Sequence, residues 1–188
     1  TSDVLLKHKQ SLKILFQGLV EAEPLLGPSG SSLLTHRCFQ AFIRAAGFIG
    51  ADMSERESTY CFLWSIMAVV DGQSRGGRLR ESCLPFEGFL EALCRVAAFK
   101  VLPTDAEISQ SGCLDAAACV HHMRKKDAVG YARMLKERAK IWGELPQQPV
   151  HRCVDHLIHI ILRSIEGSEG GKESDGGAVE LDPRLFKK

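Results

Sequence analysis

The chain has 188 residues, a formal net charge of +1 and 45% hydrophobic residues, a composition typical of an ordinary globular protein. The near-neutral charge excludes a general electrostatic attraction to nucleic acid or to anionic membranes. It contains no run of about 18 apolar residues, so no transmembrane helix is predicted. The first residues do not resemble a signal peptide and the seven cysteines are scattered, so we expect reduced thiols in a cytoplasmic protein.

Helical spacing of apolar residues dominates the first hundred residues and predicts four helices, over residues 3–20, 36–48, 54–70 and 85–99. A capping box formed by Ser54 and Glu57 marks the start of the third helix. Very short strands are predicted at residues 33–35 and at Leu84. The buried face predicted for the third helix consists of Tyr60, Leu63, Trp64, Met67 and Val70.

The two halves of this region show a weak internal repeat. Residues 41–48 align with residues 92–99, and the alignment matches two alanines, an arginine and a phenylalanine. The alternative is that these are two unrelated amphipathic helices. A repeat would give the order helix, loop, short strand, helix twice.

The loop before Leu84 lacks the ligands of a calcium-binding EF-hand. Such a loop needs oxygen ligands at positions 1, 3 and 5 and a bidentate glutamate at position 12. With Leu84 at position 8, these places fall on Gly77, Leu79, Glu81 and Gly88. The second loop is therefore predicted not to hold calcium.

The first loop is poorer still in ligands. With Leu34 at position 8, the ligand places fall on Gly27, Ser29, Ser31 and Cys38, none of which carries a carboxylate. Neither loop is therefore expected to bind calcium.

A second helical region follows a capping box formed by Thr104 and Glu107. Apolar spacing predicts a long helix over residues 113–144, or two helices broken at Gly130, and then a regular helix over 150–165. The last residues are rich in glycine and acidic side chains, which is typical of a flexible tail. We therefore divide the chain into residues 1–102, 103–166 and 167–188.

Metal-ligating residue types occur together on the last predicted helix. Cys153, His156 and His159 are spaced so that they share a helix face, as zinc ligands would. The favoured alternative is that they flank the apolar face as half-buried polar residues, because a second pair of closely spaced ligands is absent. We predict no metal and no other cofactor, with these three residues as weak metal candidates.

Basic residues are concentrated between residues 124 and 140. They suggest either a face for an acidic partner, such as a tubulin surface or an RNA backbone, or a solvated helix surface. Aromatic residues for base stacking are scarce there, which argues against RNA. No catalytic or phosphate-binding motif occurs, so neither an enzyme nor a small-molecule site is predicted. The candidate partner-binding residues are Arg124, Lys125, Lys126, Arg133, Lys136, Arg138 and Lys140.

Three apolar segments flank the two loops: Leu5-x-x-His8-x-x-x-Leu12-x-x-Leu15-Phe16, Phe39-x-x-Phe42-x-x-x-Ala46-Gly47 and Leu84-x-Phe86-x-x-Phe89-x-x-x-Leu93-x-x-Val96-Ala97. With these segments, the first hundred residues resemble the degenerate, non-calcium-binding EF-hand-like proteins of protist flagella. The resemblance implies an all-α fold: a calmodulin-like EF-hand pair with very short loop strands, followed here by the helical extension and flexible tail. The paired core would consist of Phe39, Phe42, Phe86, Phe89 and Leu93.

The resemblance also implies a non-enzymatic structural or adaptor protein of a cytoskeletal, microtubule-associated assembly in the ciliary axoneme. Its expected partners are other proteins of that assembly, including tubulin, and neither a membrane nor a nucleic acid. Two alternatives are a calcium-responsive EF-hand sensor and a basic-helix module that binds RNA or another anion.

Overall fold

The computed structural model describes residues 1–22, 33–69 and 72–169. Over these ranges the chain is mostly helical with one small sheet, which confirms the all-α class. The strands are β1 (Leu34–Thr35) and β2 (Cys83–Leu84). The helices are α1 (Ser2–Lys7), α2 (Lys9–Glu21), α3 (His36–Ala45), α4 (Glu55–Leu63), α5 (Arg75–Arg80), α6 (Phe86–Phe99), α7 (Asp105–Ser111), α8 (Ala116–Lys126), α9 (Ala128–Glu137) and α10 (Val150–Glu169).

The two strands pair with each other, and their register places two loop-end leucines face to face. β1 and β2 are antiparallel, with Leu34 opposite Leu84 and Thr35 opposite Cys83. Both leucines are completely buried. Each strand leads directly into a helix, β1 into α3 and β2, after one proline, into α6. The short strands predicted at these two places are therefore confirmed.

Phenylalanine side chains from three helices form the centre of the core. Phe39, Phe42 and Phe89 are completely buried, and the ring centroids of Phe16 and Phe89 lie 5.5 Å apart. Phe86 is only partly buried and packs edge-on against Phe16. The predicted core residues thus lie together, with Phe86 at its margin.

Helix α10 packs into this same core and contacts α6. Its residues Val154, Leu157, Ile158 and Ile161 are completely buried and belong to the cluster that contains the phenylalanines. The helix predicted over 150–165 is confirmed and continues to Glu169. The boundary at residue 102 stays a prediction about the sequence, but the two regions share one core. Residues 170–188 of the predicted tail lie outside the described residues.

The third predicted helix is shorter than expected, and its buried face was predicted wrongly. α4 ends at Leu63, and the exposed fractions of Leu63, Trp64 and Met67 are 47%, 59% and 54%. Val70 lies outside the described residues. The buried face consists of Ser58 and, three and four positions after it, Cys61 and Phe62. This face packs α4 against α3 and α6, and apolar periodicity alone did not identify it because one of its three residues is a serine.

The helix predicted over 113–144 is two helices, and the break is at Asp127 rather than at Gly130. Asp127 has a non-helical backbone (φ −153°, ψ 87°). Its carboxylate accepts a hydrogen bond from the backbone N–H of Gly130 at 2.8 Å and so caps the start of α9. A side-chain cap therefore determines the position of the break.

All seven cysteines are free thiols. Burial raises the pKa of the Cys61 thiol to about 12 and that of Cys94 to about 11. Both thiols are consequently protonated at neutral pH and behave as small apolar side chains.

Candidate interaction surface and metal-ligand candidates

The second loop, between α4 and β2, contains a short helix at the place where cation ligands would stand in an EF-hand. Three of the six residues of α5 are arginines. The hydroxyl of Ser74 accepts a hydrogen bond from the backbone N–H of Gly77 at 2.9 Å and caps this helix. The expected ligand places in the first loop, Gly27, Ser29 and Ser31, lie outside the described residues.

The place of the bidentate glutamate is closed sterically in the second loop. Gly88 is buried in the first turn of α6. A Cβ atom there would lie 2.9 Å from the backbone oxygen of Ser65 and 3.1 Å from Cδ2 of Leu84. A longer side chain at this position would therefore collide with backbone atoms before it could reach a cation.

We predict that Gly88→Ala lowers the free energy of unfolding by about 1–2 kcal/mol. Overpacking of a core typically costs about 1–3 kcal/mol, and the better helix propensity of alanine offsets up to about 1 kcal/mol of this. Urea unfolding measures the change. The matched control is Gly76→Ala in α5, where an added Cβ meets no atom within 4 Å. Equal stabilities of the two variants would contradict the steric closure.

Four of the seven predicted partner-binding residues are exposed on α8 and α9 without a described internal role: Lys125, Lys126, Arg133 and Lys136. Arg124 is also exposed, and its guanidinium lies 5.3 Å from the centroid of the Tyr131 ring. Their role in partner binding stays a prediction.

Arg138 and Lys140 have partners within the molecule. Arg138 forms an ion pair with Glu107 at 2.7 Å, which ties α9 to α7. The ammonium of Lys140 donates to the backbone oxygen of Ala98 at 2.8 Å, at the end of α6. These two residues position the extension, so their charge is less available to a partner than a sequence count suggests.

An aromatic cluster that the sequence analysis did not identify lies beside these contacts. The Trp64 and Trp142 ring centroids lie 4.8 Å apart, and Tyr60 and Phe99 pack against Trp142 at 5.9 and 5.1 Å. The chain has only two tryptophans, and both are here. Trp64 is 59% exposed. Trp142 is partly buried against the core. An exposed tryptophan that packs on other aromatic rings is typical of surfaces that bind other proteins.

Apolar neighbours extend the exposed surface around this cluster. Leu63 precedes Trp64 and is 47% exposed, and Ile141 precedes Trp142 and is 73% exposed. We call Tyr60, Leu63, Trp64, Ile141 and Trp142 the aromatic patch. The two tryptophans are 78 positions apart in the chain, so no local sequence pattern could predict that they pack together.

Two of the three weak metal candidates make structural contacts instead. Cys153 is buried, its thiol donates to the backbone oxygen of Gln148 at 3.7 Å, and burial raises its pKa. His156 is buried, with Nδ1 2.9 Å from the backbone oxygen of Pro103 and Nε2 3.0 Å from Oδ1 of Asp105. His156 thus ties α10 to the segment before α7, and Cys153 ties it to the segment after α9.

The third candidate, His159, lies with two residues that the sequence analysis did not propose as metal ligands. Nε2 of His8 is 3.1 Å from Oδ1 of Asp155, and the rings of His8 and His159 pack edge to face with centroids 5.4 Å apart. One ligand atom from each of the three residues lies within 4.8 Å of the others. Burial lowers the pKa of the His159 imidazole, with the neighbouring Asp155 acting in the opposite direction.

Comparisons of the chain with protein-family models, curated proteins and solved structures find no match. None of the described helices combines the length and the apolar content needed to cross a membrane.

Proposed function

We propose that the chain is a non-enzymatic adaptor protein built on a pair of EF-hand-like units. The observation that carries this proposal is the antiparallel pairing of Leu34 with Leu84. Each leucine stands in a strand between a loop and the helix that follows, which is the order of an EF-hand. The pairing joins two such units back to back around one apolar core.

The second unit is kept for its shape rather than for calcium binding. Its loop contains the arginine-rich α5, and Gly88 occupies the place of the ligating glutamate against the backbone of Ser65. Carboxylates supply most of the affinity of a calcium loop, and the second loop has only Glu81 at the four ligand places, which favours a constitutive scaffold over a sensor.

The partner surface consists of the aromatic patch and the exposed cations of α8 and α9. Tryptophan is enriched among the few residues that supply most of the binding energy at protein interfaces, and surrounding charges select the partner and speed association. Because the exposed charges of α8 and α9 are mostly basic, the occupant is an acidic protein surface with an apolar anchor. α9 leads directly into the segment that carries Ile141 and Trp142.

The setting we propose is a cytoskeletal assembly, with the ciliary axoneme as the specific location. The resemblance of the first hundred residues to flagellar EF-hand-like proteins supports this setting. Microtubules present an acidic protein surface, so tubulin is the partner that we select for the test.

The experiment is co-sedimentation of the purified full chain with microtubules at two salt concentrations. We expect binding that weakens as salt rises and falls about tenfold in Lys125→Glu/Lys136→Glu, because like charges would then face each other. The matched control is Lys9→Glu/Lys13→Glu, an equal charge change on exposed residues of α2. Trp64→Ala should also weaken binding, since exposed tryptophans often act as anchors.

Several outcomes would overturn the proposal. Absence of binding, binding that is insensitive to salt, or an equal loss in both charge variants would exclude an acidic partner on α8 and α9. A heat signal at about micromolar calcium in calorimetry would favour the calcium sensor instead. Tighter binding to an RNA homopolymer than to microtubules would favour the anion-binding module.

A further inference from the structure

Two imidazoles and one carboxylate meet where the N-terminal helices contact α10. Nε2 of His8 lies 3.1 Å from Oδ1 of Asp155, and the ligand atoms of His8, Asp155 and His159 are all within 4.8 Å of one another. We propose that these three residues form a binding site for a transition-metal dication of the Zn²⁺ class. The site is separate from the aromatic patch and independent of the adaptor proposal.

The fold positions each of the three donors. Asp155 and His159 are one turn apart on α10 and therefore share a face of that helix. His8 lies between α1 and α2 with a non-helical backbone (φ −100°, ψ 7°), and α1 contacts α10. The side chains of His8 and Asp155 are each only 10% exposed. The donors are thus held by packed elements rather than carried on mobile surface side chains.

The donor set selects the class of metal. Imidazole nitrogens suit Zn²⁺, Cu²⁺, Fe²⁺ and Ni²⁺, whereas Ca²⁺ and Mg²⁺ prefer oxygen ligands throughout. Three protein donors leave a fourth position for water, as in open zinc sites. Zn–N distances of about 2.0–2.1 Å place tetrahedral ligand atoms roughly 3.4 Å apart. The His8–Asp155 separation already fits, and rotation of the His159 side chain would complete the set.

Two cations lie near the carboxylate of Asp155. Nζ of Lys7 lies 3.3 Å from Oδ1 of Asp155, on a side chain that is 60% exposed and free to turn into solvent. Nη1 of Arg152 lies 3.7 Å from Oδ2, while its main partner is Asp105 at 2.6 Å. Arg152 therefore steadies one oxygen, and Lys7 occupies the other as a cation that a metal ion would displace.

The experiment is a titration of the purified, reduced full chain with Co²⁺, followed by optical absorption. We expect one Co²⁺ per chain, with the visible bands of a four-coordinate nitrogen and oxygen site, no thiolate-to-cobalt charge-transfer band, and displacement by Zn²⁺. His8→Gln and His159→Gln should each weaken binding at least about tenfold, because loss of even an outer partner of a ligand costs about 10- to 100-fold. Lys7→Gln should tighten binding by removing the competing cation.

The matched control is His151→Gln, which removes an exposed histidine from the same helix and should leave the affinity unchanged. Glutamine at position 8 retains a side-chain amide that can still donate to Asp155, and circular dichroism of each variant verifies folding. Absence of saturable binding would overturn the site. So would a thiolate band, or equal affinities of His8→Gln, His159→Gln and the wild type.

Discussion

Replacing Asp52 by alanine is expected to lower the free energy of unfolding by about 3–5 kcal/mol, because it leaves a buried ammonium without its counter-charge. The side chain of Asp52 is fully buried and that of Lys100 is 6% exposed, and Nζ lies 2.7 Å from Oδ1. The second carboxylate oxygen accepts the backbone N–H of Val101 at 2.9 Å. After the substitution, the ammonium would retain the backbone oxygen of Phe48, 2.9 Å away.

The effect of Asp52→Ala should depend on pH in a defined direction. Burial lowers the pKa of Lys100 below its ordinary value of 10.5, and Asp52 opposes this change. Without Asp52 the folded-state pKa falls further, so the unfolded state binds more protons between that pKa and 10.5. Stability of the variant therefore rises with pH across this window, and its deficit relative to the wild type shrinks.

Urea unfolding followed by tryptophan fluorescence at neutral and alkaline pH measures both effects. The matched control is Glu55→Ala, which removes the partner of Arg44 in an ion pair whose side chains are more than half exposed. It should change stability far less. The double replacement Asp52→Leu/Lys100→Met should recover most of the loss, since an apolar pair can substitute for a buried ion pair. A deficit that grows with pH would contradict the explanation.

Local signals in the sequence predicted the starts of helices well. The capping boxes of Ser54 with Glu57 and of Thr104 with Glu107 both form as expected and open α4 and α7. These signals act over three residues, so the chain elsewhere does not alter them. Continuous apolar spacing likewise predicted α6 and α10, whose buried faces are long and regular.

Signals that depend on distant partners were not predictable. The apolar spacing in α4 predicted the wrong face, because contacts with α3 and α6 determine which face is buried. The contacts between the site residues could not be predicted for the same reason. His8 and Asp155 are 147 positions apart, and Asp52 and Lys100 are 48 apart. Charged or metal-ligating residue types are common in any sequence, and only the fold shows which of them meet.

Leu157→Ala should lower the free energy of unfolding by about 2–5 kcal/mol, the usual cost of truncating a fully buried leucine. Leu157 is a completely buried residue of α10 and belongs to the core that contains Phe39 and Phe89. Because the first hundred residues and the extension share that core, the loss of this side chain should destabilise both regions together. We therefore expect one cooperative transition in which fluorescence and circular dichroism coincide, with faster hydrogen exchange in α3 and α6 as well as in α10.

The matched control is Leu114→Ala, at a residue that is 90% exposed, where stability should change little. If the extension were an independent unit, Leu157→Ala would produce two transitions and leave exchange in α3 and α6 unchanged. That result would contradict the shared core, in which α10 packs directly against α6. Trp142 of the extension packs against Trp64, which follows α4, so we expect the aromatic patch to stay intact only while this shared core is folded.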